Sequence, residues 1–526
     1  MKASDLFVEC LEREGVEHVF GIPGEETEDL LFSLRDSDVT FVPVRHEQGA
    51  AFMADVHGRL TGEAGVCLST LGPGATNLLT GVADAHRDKS PLVAVTAQGG
   101  LERLHKESHQ ALNVVRIYES VTKWNTQLDD PGIIHESVRK AFKVAEYEKP
   151  GATHLELPED VAAEETDARP LPVREDVRFA APDADTLDRV KELLREADRP
   201  LIIAGNGAVR THAASQLREL VRVTDLPVAS TYMGKGAVSD ADEHSLMTLD
   251  SGADGEAASA IEQSDLVLTV GYDIAEHDPA KWGRSDTPVV HVDTEPAEVY
   301  EAYNPAVEVV ADIGRTLEEL AEWCGAGELG FDPDWYADLR ERIVEDVTVE
   351  PAESAPFTVR GVLPLLREAM DPEDVLVSDV GSHKMAIAQN FPTYEPNTCI
   401  VSNGLASMGI SVPGGVAADL ATDGNVVAAT GDGGFLMNAA EIETATRIGC
   451  EFTIVVFVDD DYGLISEKQR DHTGESFGTG LGNPDLVPFA ESFGIDGYRP
   501  QSRAELEAAI EEAVGGDMSL IAVDVE

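Results

Sequence analysis

Gly431-Asp432-Gly433-Gly434 stands between a β-branched run, residues 426–430, and a segment whose apolar residues recur at helical spacing. Glycines at a strand-to-helix turn let backbone N–H groups approach a phosphate at the positive end of the helix. An acid inside that turn would repel a bare phosphate. A hard cation between them resolves the conflict, because Mg2+ takes one or two carboxylates together with phosphate oxygens. A second acid group, Asp459-Asp460-Asp461, closes the next β-branched run, residues 452–458, and leads into Tyr462-Gly463. One helix and one strand fill the interval, so Asp432 and Asp459 are expected at the C-terminal ends of neighbouring parallel strands, where open α/β sheets bind ligands. Taken singly, the Gly-Asp-Gly reads as an ordinary turn and the acid triplet as surface. Together they point to a metal–diphosphate site.

To hold two such acids side by side, the chain must supply parallel strands in α/β alternation. Three blocks do so, residues 1–165, 186–330 and 357–526, separated by acidic, Pro-containing stretches at about 162–185 and 330–356. In the first block, residues 39–44, 65–69 and 92–96 read as strands and 47–60 as a helix stopped by Gly62, while Gly72-Pro73-Gly74 turns into a helix near 76–86. In the middle block, 201–204 and 266–270 read as strands. In the last, 426–430 and 452–458 flank one helix, with Leu436, Ala439, Ile442, Ala445 and Ile448 on a shared apolar side and Gly449 as its stop. The expected fold class is α/β, with three domains of doubly wound parallel sheets. The first and last blocks are open to being two copies of one architecture. Gly205-Asn206-Gly207 is a lone GxG and reads as a tight turn.

Composition sets the surroundings. The 526 residues are 43% hydrophobic and 26% charged, which is globular, and no stretch approaches the ~18 consecutive apolar residues of a membrane span. The N-terminal residues do not read as a signal peptide, so the expected location is cytoplasmic. Lys and Arg number 39 against 98 Asp and Glu, a net charge of −59. Phosphate backbones are repelled by such a surface, which argues against nucleic acid. The acids recur along the whole chain, and their self-repulsion is screened by salt; this reads as a protein of a salt-filled, halophilic cytoplasm. The five cysteines are widely spaced with no CxxC, which excludes a cysteine zinc site of ordinary spacing and argues for core thiols.

Further runs carry a resemblance. They are Phe20-Gly21-Ile22-Pro23-Gly24, the stretch from Arg45-His46-Glu47-Gln48-Gly49 to Ala54, Ser69-Thr70-Leu71-Gly72-Pro73-Gly74-Ala75-Thr76-Asn77, Ser402-Asn403-Gly404 and Ser407-Met408-Gly409. With the two acid motifs, they resemble the thiamine diphosphate enzymes of the acetolactate synthase group over nearly the whole chain. The resemblance implies the thiamine diphosphate-binding fold. It implies that Glu47 hydrogen-bonds the cofactor's aminopyrimidine ring and promotes its imino form; on its own, Glu47 reads as an acid on a helix dipole. It further implies that Asp432 and Asp459 are Mg2+ ligands together with the backbone carbonyl of Asp461. By the same resemblance, Gly431, Gly433, Gly434 and Tyr462 are expected to contact the cofactor, Gly381, Ser382 and His383 to form a diphosphate-side loop, and Met408 to prop the cofactor into its bent form. The resemblance also places Gln110 near the reacting carbon, whereas His109 reads as surface or core packing.

The middle block separates family branches. Tyr272-Asp273-Ile274-Ala275-Glu276-His277-Asp278-Pro279-Ala280-Lys281-Trp282 resembles the flavin-free catabolic branch, and Met247-Thr248-Leu249-Asp250-Ser251-Gly252 lacks the flavin branch's Gly-Met-His-Gly run. FAD is therefore not expected. Two departures bear on the second substrate: Lys468 stands where the catabolic branch has Gln and the biosynthetic branch Trp, and the chain stops at Glu526 directly after its terminal strand. The implied activity is condensation of two 2-oxo acids with loss of carbon dioxide, two pyruvates giving 2-acetolactate. The alternatives are a 2-oxo acid decarboxylase, a carboligase with another acceptor, and a non-catalytic paralogue. The implied assembly is a homodimer or homotetramer in which Glu47 of one chain serves a cofactor held by the other, with room for a small regulatory subunit.

Overall fold

The computed structural model describes residues 1–175, 177–249, 255–282, 287–327, 331–332 and 334–526. It contains three six-stranded sheets in which every strand pairing is parallel. The first holds β1 (His18–Gly21), β2 (Thr40–Pro43), β3 (Gly65–Ser69), β4 (Leu92–Gln98), β5 (Trp124–Gln127) and β6 (Ala152–Pro158), in the order β2-β1-β3-β4-β6-β5. The middle sheet holds β7 (Pro200–Ala204), β8 (Val228–Ser230), β9 (Ser245–Thr248), β10 (Leu266–Val270), β11 (Val289–Asp293) and β12 (Val307–Val310), in the order β12-β11-β10-β7-β8-β9. The third holds β13 (Val375–Ser378), β14 (Cys399–Val401), β15 (Val426–Gly431), β16 (Thr453–Val458), β17 (Asp496–Tyr498) and β18 (Ser519–Asp524), in the order β14-β13-β15-β16-β18-β17. The α/β class with doubly wound sheets is thus the observed architecture, and the first and third sheets share one strand order.

Strands covered by helices on both faces need continuous apolar runs. β10 is Leu-Val-Leu-Thr-Val and buried at every position. The Glu47–Thr61 helix ends where Gly62 turns left-handed at φ 75° and donates to the Gly58 carbonyl, the usual glycine stop. The next helix, Pro73–Arg87, begins three residues earlier than its apolar spacing suggests, because Pro73 is preset for the first helical position. The helix expected between β15 and β16 is two, Asp432–Asn438 and Glu441–Ile448. The break puts Leu436, 42% exposed, outside the apolar side it was expected to share; Phe435 and Asn438 are buried in its place. Within the second acidic stretch, Ala337–Val347 is a helix that packs Leu339 and Ile343 into the middle domain's core. Residues 250–252 of the run read for its missing flavin pattern, and 330 and 333 of that stretch, lie outside the described residues.

The first and third domains are held together by one core, in which Ala50, Phe52, Met53 and Val56 of the Glu47–Thr61 helix meet Val412 and Val416 of the Ser411–Ala421 helix. Beside it, Arg59 is buried among three carboxylates, at 2.9 Å from Asp55, 2.7 Å from Asp88 and 3.4 Å from Asp84. The same acids reach across to the third domain: Ser402 Oγ donates to Asp84 at 2.9 Å and the Asn403 N–H to Asp88 at 3.0 Å. The five cysteines are buried free thiols, two in this shared core and one in each of three further apolar clusters. Among the described residues no helix is long and apolar enough to cross a membrane.

Candidate active site

β15 and β16 are neighbours, with Gly431 in register with Phe457, so the acids that follow them leave adjacent strand ends. Asp432 opens a helix, and its carboxylate accepts from the N–H of Gly433 and of Asp460, both at 2.9 Å, and from Asn483 Nδ2 at 2.6 Å. Asn483 also donates to Asp460 at 2.7 Å, tying the two acid loops. Asp459 accepts from the Asp461 N–H at 3.1 Å. Burial, together with the charges of Asp432 and Asp461, pushes the Asp459 carboxyl up to about 6, and burial also raises Asp432. Two carboxylates crowded in this way are a donor set that a divalent cation would relieve. No three acid, His or Cys side chains form a self-contained metal cage among the described residues, which suits a hard cation that takes its remaining ligands from backbone, phosphate and water.

Gly381, Ser382, His383, Met408, Gly431, Asp432, Gly433, Gly434, Asp459, Asp461 and Tyr462 line one cavity of about 260 Å3. The glycines of the acid loop are there for closeness rather than for turning, since none has a left-handed backbone. A β-carbon on Gly431 would stand 3.0 Å from His383 Nδ1, on Gly433 2.8 Å from the Tyr462 ring, and on Gly434 3.0 Å from the Asp379 carboxylate. His383 is buried, which pulls its ring down to about 4 and keeps it neutral. Its Nε2 has no partner among the described residues. An unsatisfied ring nitrogen, a glycine-lined cradle and paired acids fit a cofactor with a metal-bound diphosphate. Asp379 fixes the loop that carries Met408: it accepts from the Gly409 N–H at 2.8 Å, Ser411 Oγ at 3.1 Å and Thr430 Oγ1 at 3.3 Å.

Glu47 and Gln110 are not among the residues lining that cavity. Glu47 is the first residue of its helix and 8% exposed; Asn77 Nδ2 donates to its Oε2 at 3.0 Å. Gly74 leaves room for it, since a β-carbon there would be 3.2 Å from Glu47 Oε1. Gln110 is exposed, has a left-handed backbone at φ 56°, and packs its carbonyl against Gly72. His109 is exposed as well, and so is Lys468. Beneath the loop that carries Gln110, Gln98 Nε2 donates to the Leu112 carbonyl at 3.0 Å and to Glu156 at 2.9 Å.

Residues 1–117, 187–320 and 379–524 match, in turn, the N-terminal TPP binding domain, the central domain and the C-terminal TPP binding domain of thiamine pyrophosphate enzymes. The chain is 31% identical over 536 aligned positions to an acetolactate synthase of Bacillus subtilis (strain 168), covering 100% of this chain and 93% of that one.

The chain belongs to the thiamine pyrophosphate enzyme family.

A catabolic acetolactate synthase of Raoultella terrigena is also 31% identical, over 99% of this chain and 95% of its own. So is a probable acetolactate synthase large subunit of Methanocaldococcus jannaschii, over 98% and 90%. Overall identity therefore does not separate the branches, but it makes this family member a thiamine diphosphate-dependent enzyme. Asn483, Asp379 and Asn77 were not legible as site residues. Each acts through a partner distant in sequence, and only Asn77 lay within a run singled out for its resemblance.

Proposed function

We propose that the protein is a thiamine diphosphate- and Mg2+-dependent carboligase that joins two 2-oxo acids with loss of carbon dioxide, taking two pyruvates to 2-acetolactate. The observation that carries this reading is the single cavity lined by Asp432, Asp459, His383 and Met408, in a chain whose relatives bear the acetolactate synthase name. Bound thiamine diphosphate supplies the electron sink that lets a 2-oxo acid lose carbon dioxide. Asp432 and Asp459 would hold Mg2+ against the diphosphate, and Gly431, Gly433 and Gly434 would let it come close. Met408 would offer an apolar prop, and Glu47 would hold or accept a proton at the cofactor ring. Because Glu47 does not line the cavity of its own chain, a second copy is the proposed source of the glutamate for each site.

A flavin-free enzyme is the proposed branch. In the middle sheet the order reverses between β7 and β10, where doubly wound sheets bind nucleotides. There the buried Glu276 carboxylate accepts from the Asn206 N–H at 2.9 Å and from Thr231. Burial pushes this carboxyl up to about 8, and it occupies the Asn206 N–H that a pyrophosphate at this helix start would use. The surface charge of −59 leads us to propose a high-salt working environment, since salt shortens the screening distance from ~10 Å at 0.1 M to ~3 Å at 1 M.

The test is to supply purified protein with thiamine diphosphate, Mg2+ and pyruvate across a salt series and to follow products and sedimentation together. One 2-acetolactate for every two pyruvates consumed is expected, with turnover and association rising together with salt. Acetaldehyde as the sole product, or full turnover in a monomer, would overturn the reading.

A further inference from the structure

The third domain reaches into the first at the turn that delivers Glu47. Glu441, the first residue of the Glu441–Ile448 helix, is fully buried. Its carboxylate bridges the two domains: Oε1 accepts from the backbone N–H of Arg45 at 3.1 Å and of His46 at 3.0 Å. Oε2 accepts from the Arg45 N–H at 3.2 Å and from Thr444 Oγ1 at 2.6 Å. These are the two residues immediately before Glu47. The same helix also takes hold of the start of the turn, where the Arg447 guanidinium donates to the Pro43 carbonyl at the end of β2. Arg45 also pairs with Glu443 at 3.8 Å. Close approach depends on Gly49, because a β-carbon there would stand 2.7 Å from Glu441 Oε1.

We infer that Glu441 is a positioning residue for Glu47: through Arg45 and His46 it fixes where the Glu47–Thr61 helix begins, and so where the Glu47 carboxylate points. The inference rests on the reading of Glu47 as the group that acts on the cofactor. A carboxylate that accepts backbone N–H groups makes charge-assisted bonds stronger than neutral ones. Asn77 holds the Glu47 side chain from within the first domain, and Glu441 holds the backbone of the two residues before it from the third. Glu441 is joined through Ala439 and Ala440 to the helix that starts at Asp432. One short path therefore links the metal-binding acid of a chain to that chain's own glutamate.

The experiment uses the full chain with Glu441→Ala, Glu441→Gln and Gly49→Ala. Turnover, the affinity for added thiamine diphosphate with Mg2+, and backbone amide exchange in the protein before cofactor is added would be read on each. Displacing a reacting group by about 1 Å costs on the order of 10²-fold, and Glu441→Ala is expected to lose that much kcat at saturating cofactor. Cofactor affinity should hold within about threefold, and amide exchange should quicken in residues 45–50 but not across the sheets. Glu441→Gln keeps an oxygen that both N–H groups reach, and its loss should stay below about tenfold. Gly49→Ala, which pushes the carboxylate without removing it, should shift exchange and kcat in the same direction as Glu441→Ala.

Wild-type kcat in Glu441→Ala, or in Gly49→Ala if the former does not fold, would overturn the inference. So would lost kcat with unchanged exchange at residues 45–50. A loss that merely tracks cofactor affinity would reduce Glu441 to a staple between domains. A Glu47→Gln control with wild-type turnover would instead sink the catalytic reading of Glu47, and the exchange data distinguish that failure from failure of the grip.

Discussion

The first and third sheets have the same strand order and opposite chemical equipment. After β15 the chain gives Asp432-Gly433 and after β16 it gives Asp459-Asp460-Asp461, while the matching ends of β3 and β4 lead into Leu71-Gly72-Pro73 and Gly99-Gly100. The acid of the first domain follows β2 instead, as Glu47 at the head of a helix. A parallel sheet therefore fixes where ligands can sit, and the few residues beyond each strand decide what is done there. On the proposed reading, one copy would hold an anion through a cation, while the other presents a single carboxylate beside Asn77. The two also differ inside. β18 is apolar from Leu520 to Val523, whereas β6 buries His154 and Glu156.

Substituting the two equipped ends should separate binding from turnover. If Glu47 is the proton-transfer group proposed above, Glu47→Gln should lose 10²–10⁴-fold in turnover, about what general acid–base groups contribute, with the affinity for thiamine diphosphate unchanged. Calorimetric titration with cofactor and Mg2+, beside a carbon dioxide assay, checks both halves; near-wild-type carbon dioxide release would break the contrast between the domains. Asp432→Ala should show the reverse. On the proposed reading Asp432 is a charged partner of the cation, and truncating one partner of a buried charge pair costs about 3 kcal/mol, so Mg2+-dependent cofactor affinity should fall on the order of 10²-fold. Retention of cofactor and metal through gel filtration would contradict that.

The buried polar groups of the first sheet give the smallest effect, and it is one of stability. Burial pushes Glu156 up to about 7, against the pull of the amides of Gln98 and Gln127. The folded chain therefore binds this proton more tightly than the unfolded one. The resulting stabilisation is full below the ordinary carboxylate range and is lost as pH rises towards about 7. His154, pulled down to about 3 by burial, works in the opposite sense, so the comparison must be between variants. The difference in unfolding free energy between wild type and Glu156→Gln should change by at most about 3 kcal/mol over that window. Parallel denaturation curves at pH 5 and pH 8 for the two proteins would show that Glu156 does not titrate there.

Much of this was legible because α/β sheets write local signals. Apolar runs bounded by Gly or Asp marked β3 and β10 to the residue. The acid loops stood out because period and turn chemistry coincide at strand ends. The break after Asn438 was hidden, since Leu436, Ala439 and Ile442 keep helical spacing across it. Asn483, Asp379 and Glu441 were hidden for another reason: their roles lie in hydrogen bonds to residues far away in sequence, and no local pattern encodes them. The matching strand orders were visible only as an open option, because order within a sheet depends on crossovers that periodicity does not report.

The five thiols add a use of their own. Burial makes them poor nucleophiles, lifting Cys324 to about 11 and Cys10 to about 12. They are spread over the first domain's outer core, the core shared by first and third domains, the middle domain and the third domain's far face. The molecule thus carries native chemical clocks in four of its apolar cores, though not in the middle-domain cluster around Leu339 and Ile343. Timed alkylation followed by peptide mapping would rank the order in which those cores open, without a single engineered label.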